Sequence, residues 1–365
     1  MTGQVRYALA ILVLTATLGS AAEEAEPVPV TFRGSSIAGE YVITAPPPEP
    51  KVFFEFLPSD PIPSPFDTFL LHGVLPDPGV GFEVSLKPKG GDWGPWIRLE
   101  NHRFPNGRFW AKARVPAPGG GELRLRVVDN GVHATHTLHL FEAEVLQSPG
   151  QNGKEAEAAL PAGSPDKPAV VGRAEWGAKP AKGDYTAHKP ARITQHHTAG
   201  KQPFSLKDAE EEMRFTQDFH QNGRGWIDIG YHFLIDGEGR VFQGRPETVV
   251  GTHVGGQNTG NIGISLMGYY HEPKNHKVSQ SQLDSLAALG RWLTRNYGIS
   301  PDDYKAHRDF SSTACQGDHA YALMDRIRDS FRQASRSVRA DAAEATRALE
   351  ESARRPPAQV FDGKR

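Results

Sequence analysis

The chain carries one cysteine, Cys315, in 365 residues. No internal disulfide can staple it, so its fold must rest on hydrophobic cores, or on cores and a bound metal. The constraint bites because the N-terminus reads as an export address. Arg6 supplies a positive flank, Tyr7 to Leu18 is an apolar run, and Ser20-Ala-Ala22 offers small residues for cleavage before Glu23. The run of twelve residues is short for a bilayer span, with an uncleaved anchor or a buried helix as the competing reading. No other stretch is long and apolar enough to cross a membrane. The mature protein is therefore expected to be exported, with no stable membrane insertion once residues 1–22 are removed. A lone thiol in such a protein is either an oxidation hazard or a ligand or nucleophile in a prepared site.

The length exceeds the usual size of one core, and the patterning divides it. Residues 23–50 are rich in Pro, Glu and Gly and read as an extended spacer. From 51 to 146 short runs such as Phe82-Glu-Val-Ser-Leu86 and Leu123-Arg-Leu-Arg-Val-Val128 alternate apolar and polar residues with period two between Gly/Pro turns. That pattern predicts an all-β, sandwich-like domain. Trp93 and Trp96 sit on a turn within it, and packing over one end is favoured over a sugar-stacking platform. Residues 147–168 form a linker, too poor in large apolar side chains for a core. After it strands mix with helices through about residue 333, and 334–365 is an Arg-, Ala- and Glu-rich tail. Helices are predicted over Ser205–His220, with Leu206, Ala209, Met213 and Phe219 facing a sheet, and over Ser279–Tyr297, where Gly290 allows close approach. A formal net charge of -2 argues against a nucleic-acid partner, which calls for a basic stripe.

Fifteen histidines invite a metal. His133, His136 and His139 do not make a good site: on a strand His136 faces away from the other two, which lie about 20 Å apart. Cys315 and His307, by contrast, are spaced for a strand end and the loop after it. Zinc takes thiolate and imidazole, and a catalytic zinc keeps three protein ligands and one open position. A third ligand from His196-His197 suits the end of the strand at 192–197, and alternation lets only one of the pair reach it. Spacing alone leaves both open, and leaves an inert buried cysteine open too.

Six collinear motifs carry a resemblance. They are Arg173-Ala-Glu-Trp-Gly-Ala178, Gln195-His-His-Thr198, Gly225-Trp-Ile-Asp-Ile-Gly-Tyr-His-Phe233, His253-Val-Gly-Gly-Gln-Asn258, Asn261-Ile-Gly-Ile264, and His307-Arg-Asp with Thr313-Ala-Cys315. Together, over about 168–331, they resemble the peptidoglycan recognition proteins and zinc-dependent N-acetylmuramoyl-L-alanine amidases. The resemblance implies an α/β domain at 169–333 with a mixed central sheet flanked by helices and a groove over one zinc. It implies His196, His307 and Cys315 as zinc ligands, Tyr231 at the zinc-bound water, and Thr313 as donor to the developing oxyanion. His197, His253 and Asn258 would line the groove, or serve as structural hydrogen-bonding residues. Asp309 would support a ligand histidine or pair with Arg308.

The implied substrate is peptidoglycan or its muropeptides, cut at the amide between N-acetylmuramic acid and the L-alanine of the stem peptide. The alternative is a recognition module that binds without cutting. The cysteine discriminates, since non-catalytic relatives typically replace it. A cytoplasmic recycling amidase fits poorly with the export address. One departure stands out: Gln316 follows Cys315 where the family has proline, implying an altered loop stiffness rather than a lost ligand.

Overall fold

In the computed structural model the described residues are 26–44, 51–148 and 167–332. The export segment, nearly all of the linker and the charged tail lie outside them. Alternation builds the N-terminal region. Its strands are β1 (Val28–Pro29), β2 (Gly39–Ile43), β3 (Val52–Glu55), β4 (Phe66–Val74), β5 (Val80–Pro88), β6 (Ile97–Arg98), β7 (Glu100–Arg103), β8 (Arg108–Ala117), β9 (Gly121–Asp129) and β10 (His136–Leu146). They make two antiparallel sheets, one ordered β1-β10-β4-β8-β7 with β2 also on β10, the other β3-β9-β5-β6. Phe69, Leu71 and Phe109 of the first sheet share one hydrophobic cluster with Phe82, Leu123 and Leu125 of the second. Each such side chain contributes about 1.5–3 kcal/mol on burial.

The stretch read as a spacer is not one over its described part. Val30, Phe32, Ile37 and Ile43 are buried in that same cluster, and β1 and β2 both pair with β10. Its prolines flank the strands or sit on an edge strand, where a missing N–H costs no ladder bond. Trp93 and Trp96 pack under Arg124 and Arg126 of β9, with guanidinium carbons 4.2 Å from the respective ring centres. His133 falls before β10, while His136 meets Asp77 at 3.1 Å and His139 meets Glu40 at 3.3 Å, so the three histidines have separate surroundings.

The second region contains β11 (Val170–Val171), β12 (Arg192–His197), α1 (Leu206–Asp218), β13 (Phe233–Ile235), β14 (Val241–Gln243), β15 (Asn261–Leu266), α2 (Gln280–Tyr297), β16 (Tyr304–Ala306) and α3 (Asp318–Tyr321). One mixed sheet is ordered β11-β14-β13-β15-β12-β16, with β13–β14 its antiparallel pair. On one face α2 seats Leu286, Leu289 and Leu293 against Ile193, Ile262 and Ile264. On the other, Ala209 and Met213 of α1 pack with Trp176, Leu234 and Phe242. Ser279 caps α2 in a reciprocal capping box with Gln282, and Gly298 at φ 69° ends it.

Gly290 meets the expectation of close approach: a Cβ there would lie 2.0 Å from the ring tip of the fully buried Phe331. Gly290→Ala gains about 1 kcal/mol of helix propensity, but overpacking costs about 1–3 kcal/mol. The clash should win, and the urea midpoint should fall without a change in slope.

α1 departs from its expected face. Leu206 is exposed, whereas Phe215 and Phe219 turn to the N-terminal region and form a cluster with Leu70, Trp110 and Leu146. Ion pairs flank this cluster: Arg108–Glu212 at 3.2 Å and a two-pronged Arg224–Glu144 contact at 2.8 and 2.7 Å. The helix therefore has two buried faces, and the two regions share a packed interface.

Candidate metal centre

β12 lies between β15 and β16 and runs parallel to both. Gln195 stands opposite Ala306, so His307, on the helical turn after β16, comes alongside the end of β12. Sheet register thus joins ligands distant in the chain. His196 Nδ1 lies 3.7 Å from Cys315 Sγ, and the His196 and His307 ring centres are 4.6 Å apart. One ligand atom from each of His196, His307 and Cys315 falls within 4.8 Å of the others. His197 takes the other side of the strand, beside Tyr269, Tyr270 and His271.

Hydrogen bonding fixes which nitrogen of His196 is available. The carbonyl of Asn261 can only accept, so His253 Nε2, 3.1 Å away, carries its proton. His253 Nδ1 then accepts from His196 Nε2 at 3.0 Å, which leaves a lone pair on His196 Nδ1 facing the thiol. Burial, reinforced by the neighbouring His307 and His253, holds His196 well below the usual imidazole range, and burial pulls His253 down to about 3. Both rings are neutral, as ligation requires. Asn258 accepts from the N–H groups of His253 and Val254, shaping the loop that carries this relay. His197, His253 and Asn258 all line the groove, and the polar groups of His253 and Asn258 engaged here also hold His196 in place.

Burial opposes a charge on His307, yet its contacts with Cys315 and Glu26 outweigh that and push it up to about 10. Neither His307 nitrogen makes a well-directed hydrogen bond. Imidazole nitrogens of His196 and His307 converging with a half-buried thiol, with no directed hydrogen bond at His307, fit a divalent cation. Thiolate with two imidazoles is a zinc donor set.

The loop holding Cys315 is clamped by Arg308, which donates to the Ala314 carbonyl at 2.9 Å and pairs with Asp318 at 2.9 Å. Asp309 instead accepts from the Ala306 N–H at 2.9 Å and so closes the turn bearing His307. Thr313 Oγ1 accepts from the Cys315 N–H at 3.1 Å, which orients the hydroxyl and leaves its hydrogen to donate. Gln316 is buried, its amide 2.9 Å from Met324 Sδ. The Tyr231 ring lies 5.3 Å from that of His196, and burial together with the nearby Cys315 keeps its phenol protonated far above neutrality.

These residues floor a cavity of about 640 Å³, and the N-terminal region supplies its other wall through Glu26, Val28 and Glu142. Sequence reasoning missed Glu26 and Arg308. Arg308 had a signal, its place inside His-Arg-Asp, whereas Glu26 had none.

Residues 186–318 match the family described as N-acetylmuramoyl-L-alanine amidase. Peptidoglycan-recognition protein SC1a of Drosophila melanogaster is 34% identical over 161 residues, covering 42% of this chain and 82% of the relative. Peptidoglycan recognition protein 1 of Bos taurus is 36% identical over 161 residues, with the same 42% and 82% coverage. Among solved structures, Drosophila peptidoglycan recognition protein SD aligns at 31% identity and TM-score 0.41, over 43% of this chain and 92% of that one. The endolysin N-acetylmuramoyl-L-alanine amidase LysCS of Clostridium intestinale aligns at 30% identity and TM-score 0.37, over 44% and 95%.

Proposed function

The chain belongs to the peptidoglycan recognition protein family, and from that premise we propose that it is an exported, wall-associated zinc amidase. Its substrate is peptidoglycan or a muropeptide, and the bond cut is the amide between the lactyl group of N-acetylmuramic acid and L-alanine. The observation that carries this reading is the convergence of His196 Nδ1, His307 and Cys315 Sγ within 4.8 Å beneath a groove. Zinc held there would supply a Lewis acid and a water nucleophile usable at neutral pH.

The chain's own groups do the rest. The Asn261–His253–His196 relay keeps the His196 proton on Nε2 and the ligating nitrogen aimed inward. Tyr231, held protonated, orients the attacking water by hydrogen bonding. The Thr313 hydroxyl donates to the lactyl oxygen as it gains charge, and the leaving amine of L-alanine takes up a proton. Arg308 keeps Cys315 and Thr313 in register on one loop. Helices long and apolar enough to cross a membrane are absent among the described residues. Export is part of the proposal and rests on residues 1–22.

The test is to purify the full chain, measure its zinc and analyse its products on peptidoglycan. About one zinc per chain is expected, with stem peptides released bearing a free L-alanine amine. Chelation should stop release and added zinc restore it. A zinc-loaded chain that sediments with peptidoglycan but releases nothing would make the recognition-module reading correct instead.

A further inference from the structure

Glu142 enters the groove from outside the matched domain. It belongs to β10 of the N-terminal region, ahead of residues 186–318, and it lines the cavity shared with the candidate metal ligands. A β-bulge puts it there. Leu140 and Ala143 both enter the N-terminal core although they are three residues apart, where strict alternation would send them to opposite faces. The pairing of β10 with β4 slips between Leu140 and Glu142, so the period restarts and Phe141 and Glu142 both turn outward. Phe141 then meets the Tyr269 ring at 6.2 Å, which lays this part of β10 along the side of the groove that holds His197 and His271.

The Glu142 carboxylate has no effective counter-charge among the described residues. Its one ion-pair partner there is His72, whose Nε2 is 3.7 Å away, and burial holds that imidazole well below its usual range and so neutral. The charge of Arg224 also reaches Glu142, but Arg224 is committed to both oxygens of Glu144. Burial accordingly pushes the Glu142 carboxyl above its usual range, although its side chain is still 31% exposed. His197 and His271 line the same cavity with ring centres 5.4 Å apart, and each keeps Nδ1 buried without a hydrogen-bond partner. The charge of Glu142 acts on His271 and on Tyr269. A carboxylate without a cation, close to two imidazole nitrogens without partners, suits a group that brings positive charge and several N–H donors. An ammonium does both. We infer that Glu142, with His197 and His271, forms a subsite for a primary ammonium group of the substrate, so that the N-terminal region reads the stem peptide as well as walling the groove. A diamino acid in that peptide supplies such a group. The inference rests on the muropeptide reading above and names what the groove selects.

The probes are N-acetylmuramoyl-L-alanyl-D-isoglutaminyl-L-lysine and the same muropeptide acetylated on the lysine side-chain nitrogen. They are titrated by calorimetry into the full chain carrying Cys315→Ala, which removes turnover. A hydrogen bond to a charged group is worth about tenfold in affinity, so acetylation should weaken binding by about that factor. Adding Glu142→Gln should make the two probes equal at an unchanged thermal midpoint, and Glu142→Asp, which keeps the charge, should restore part of the preference. Equal weakening of both probes by Glu142→Gln is the mark of a structural role and would overturn the subsite. So would equal binding of the two probes with Glu142 in place. A wild-type chain that releases no stem peptide, beside a clear amine preference lost in Glu142→Gln, would turn the amidase into a binder and leave the subsite standing. Binding of neither probe would overturn the subsite and the muropeptide reading together.

Discussion

Cys315→Ala should lose its zinc and, with it, at least about a thousandfold in stem-peptide release, at unchanged fold. A bound metal contributes several kcal/mol of transition-state stabilisation, and each 1.36 kcal/mol is tenfold in rate. Its removal therefore outweighs any single hydrogen-bond donor in the groove. The fold should survive because the loop does not hang on the thiol. Arg308 grips the Ala314 carbonyl, Thr313 takes the Cys315 N–H, and the Cys315 side chain is only half-buried. Metal analysis, product release and a thermal melt on the same preparation separate the outcomes. Full release by the alanine variant would defeat the metal mechanism, and so would a zinc-free variant matching wild type in rate. Retained sedimentation with peptidoglycan, alongside lost release, would locate recognition in the groove and chemistry at the metal.

Period made this site legible only in part, and the choice of His196, with Tyr231 and Thr313, came from the family resemblance. Alternation at 192–197 allowed one of His196 and His197 to reach Cys315, and strand pairing then lets His196 in and turns His197 toward Tyr269 and Tyr270. The bounds of the helix predicted over Ser279–Tyr297 were local chemistry, a Ser279–Gln282 cap and a Gly298 stop, so they could be read from a few residues. The His253 relay was not readable, because its partners, His196 and the Asn261 carbonyl, come from two neighbouring strands whose register no single segment encodes. The residues after Glu26 were obscured by composition. Pro and Gly around 27–48 outweighed a weak alternation in Val30, Phe32, Ile37 and Ile43, whose burial depends on β10 more than a hundred residues on. The second face of α1 was present as Phe215 and Phe219, four apart, but a lone amphipathic helix needs only one face. A second apolar stripe is explained only by a partner surface.

That partner surface supports the other large expected effect. Arg108→Ala should destabilise the folded chain by about 3–5 kcal/mol, because it leaves a carboxylate buried without its cation. Arg108 and Glu212 are 1% and 2% exposed, and the guanidinium lies 3.9 Å from the Phe215 ring centre and 4.8 Å from that of Phe141. Burial pushes the Glu212 carboxyl above its usual range and draws Arg108 below its own, in each case against the partner's pull. Desolvation thus outweighs the attraction between them, so the pair as a whole is a poor stabiliser while each half depends on the other. The double change Arg108→Met with Glu212→Leu should accordingly cost far less than either alanine variant. The pH dependence has a definite sign. A carboxyl whose folded pKa is raised favours folding below its unfolded pKa and loses that contribution as pH rises toward the folded value. Without Arg108 the folded pKa of Glu212 climbs further, so the Arg108→Ala deficit should be small near pH 4 and grow toward neutrality. Urea unfolding of wild type, both single variants and the double variant at two pH values measures all of this. Additive single costs, or a deficit independent of pH, would show that the two charges do not depend on each other. The same interface makes excision of the N-terminal region a poor way to isolate the C-terminal region. Removing it bares Phe215 and Phe219 and strands Glu212 and Arg224, so the cut should cost stability before it reports on wall binding.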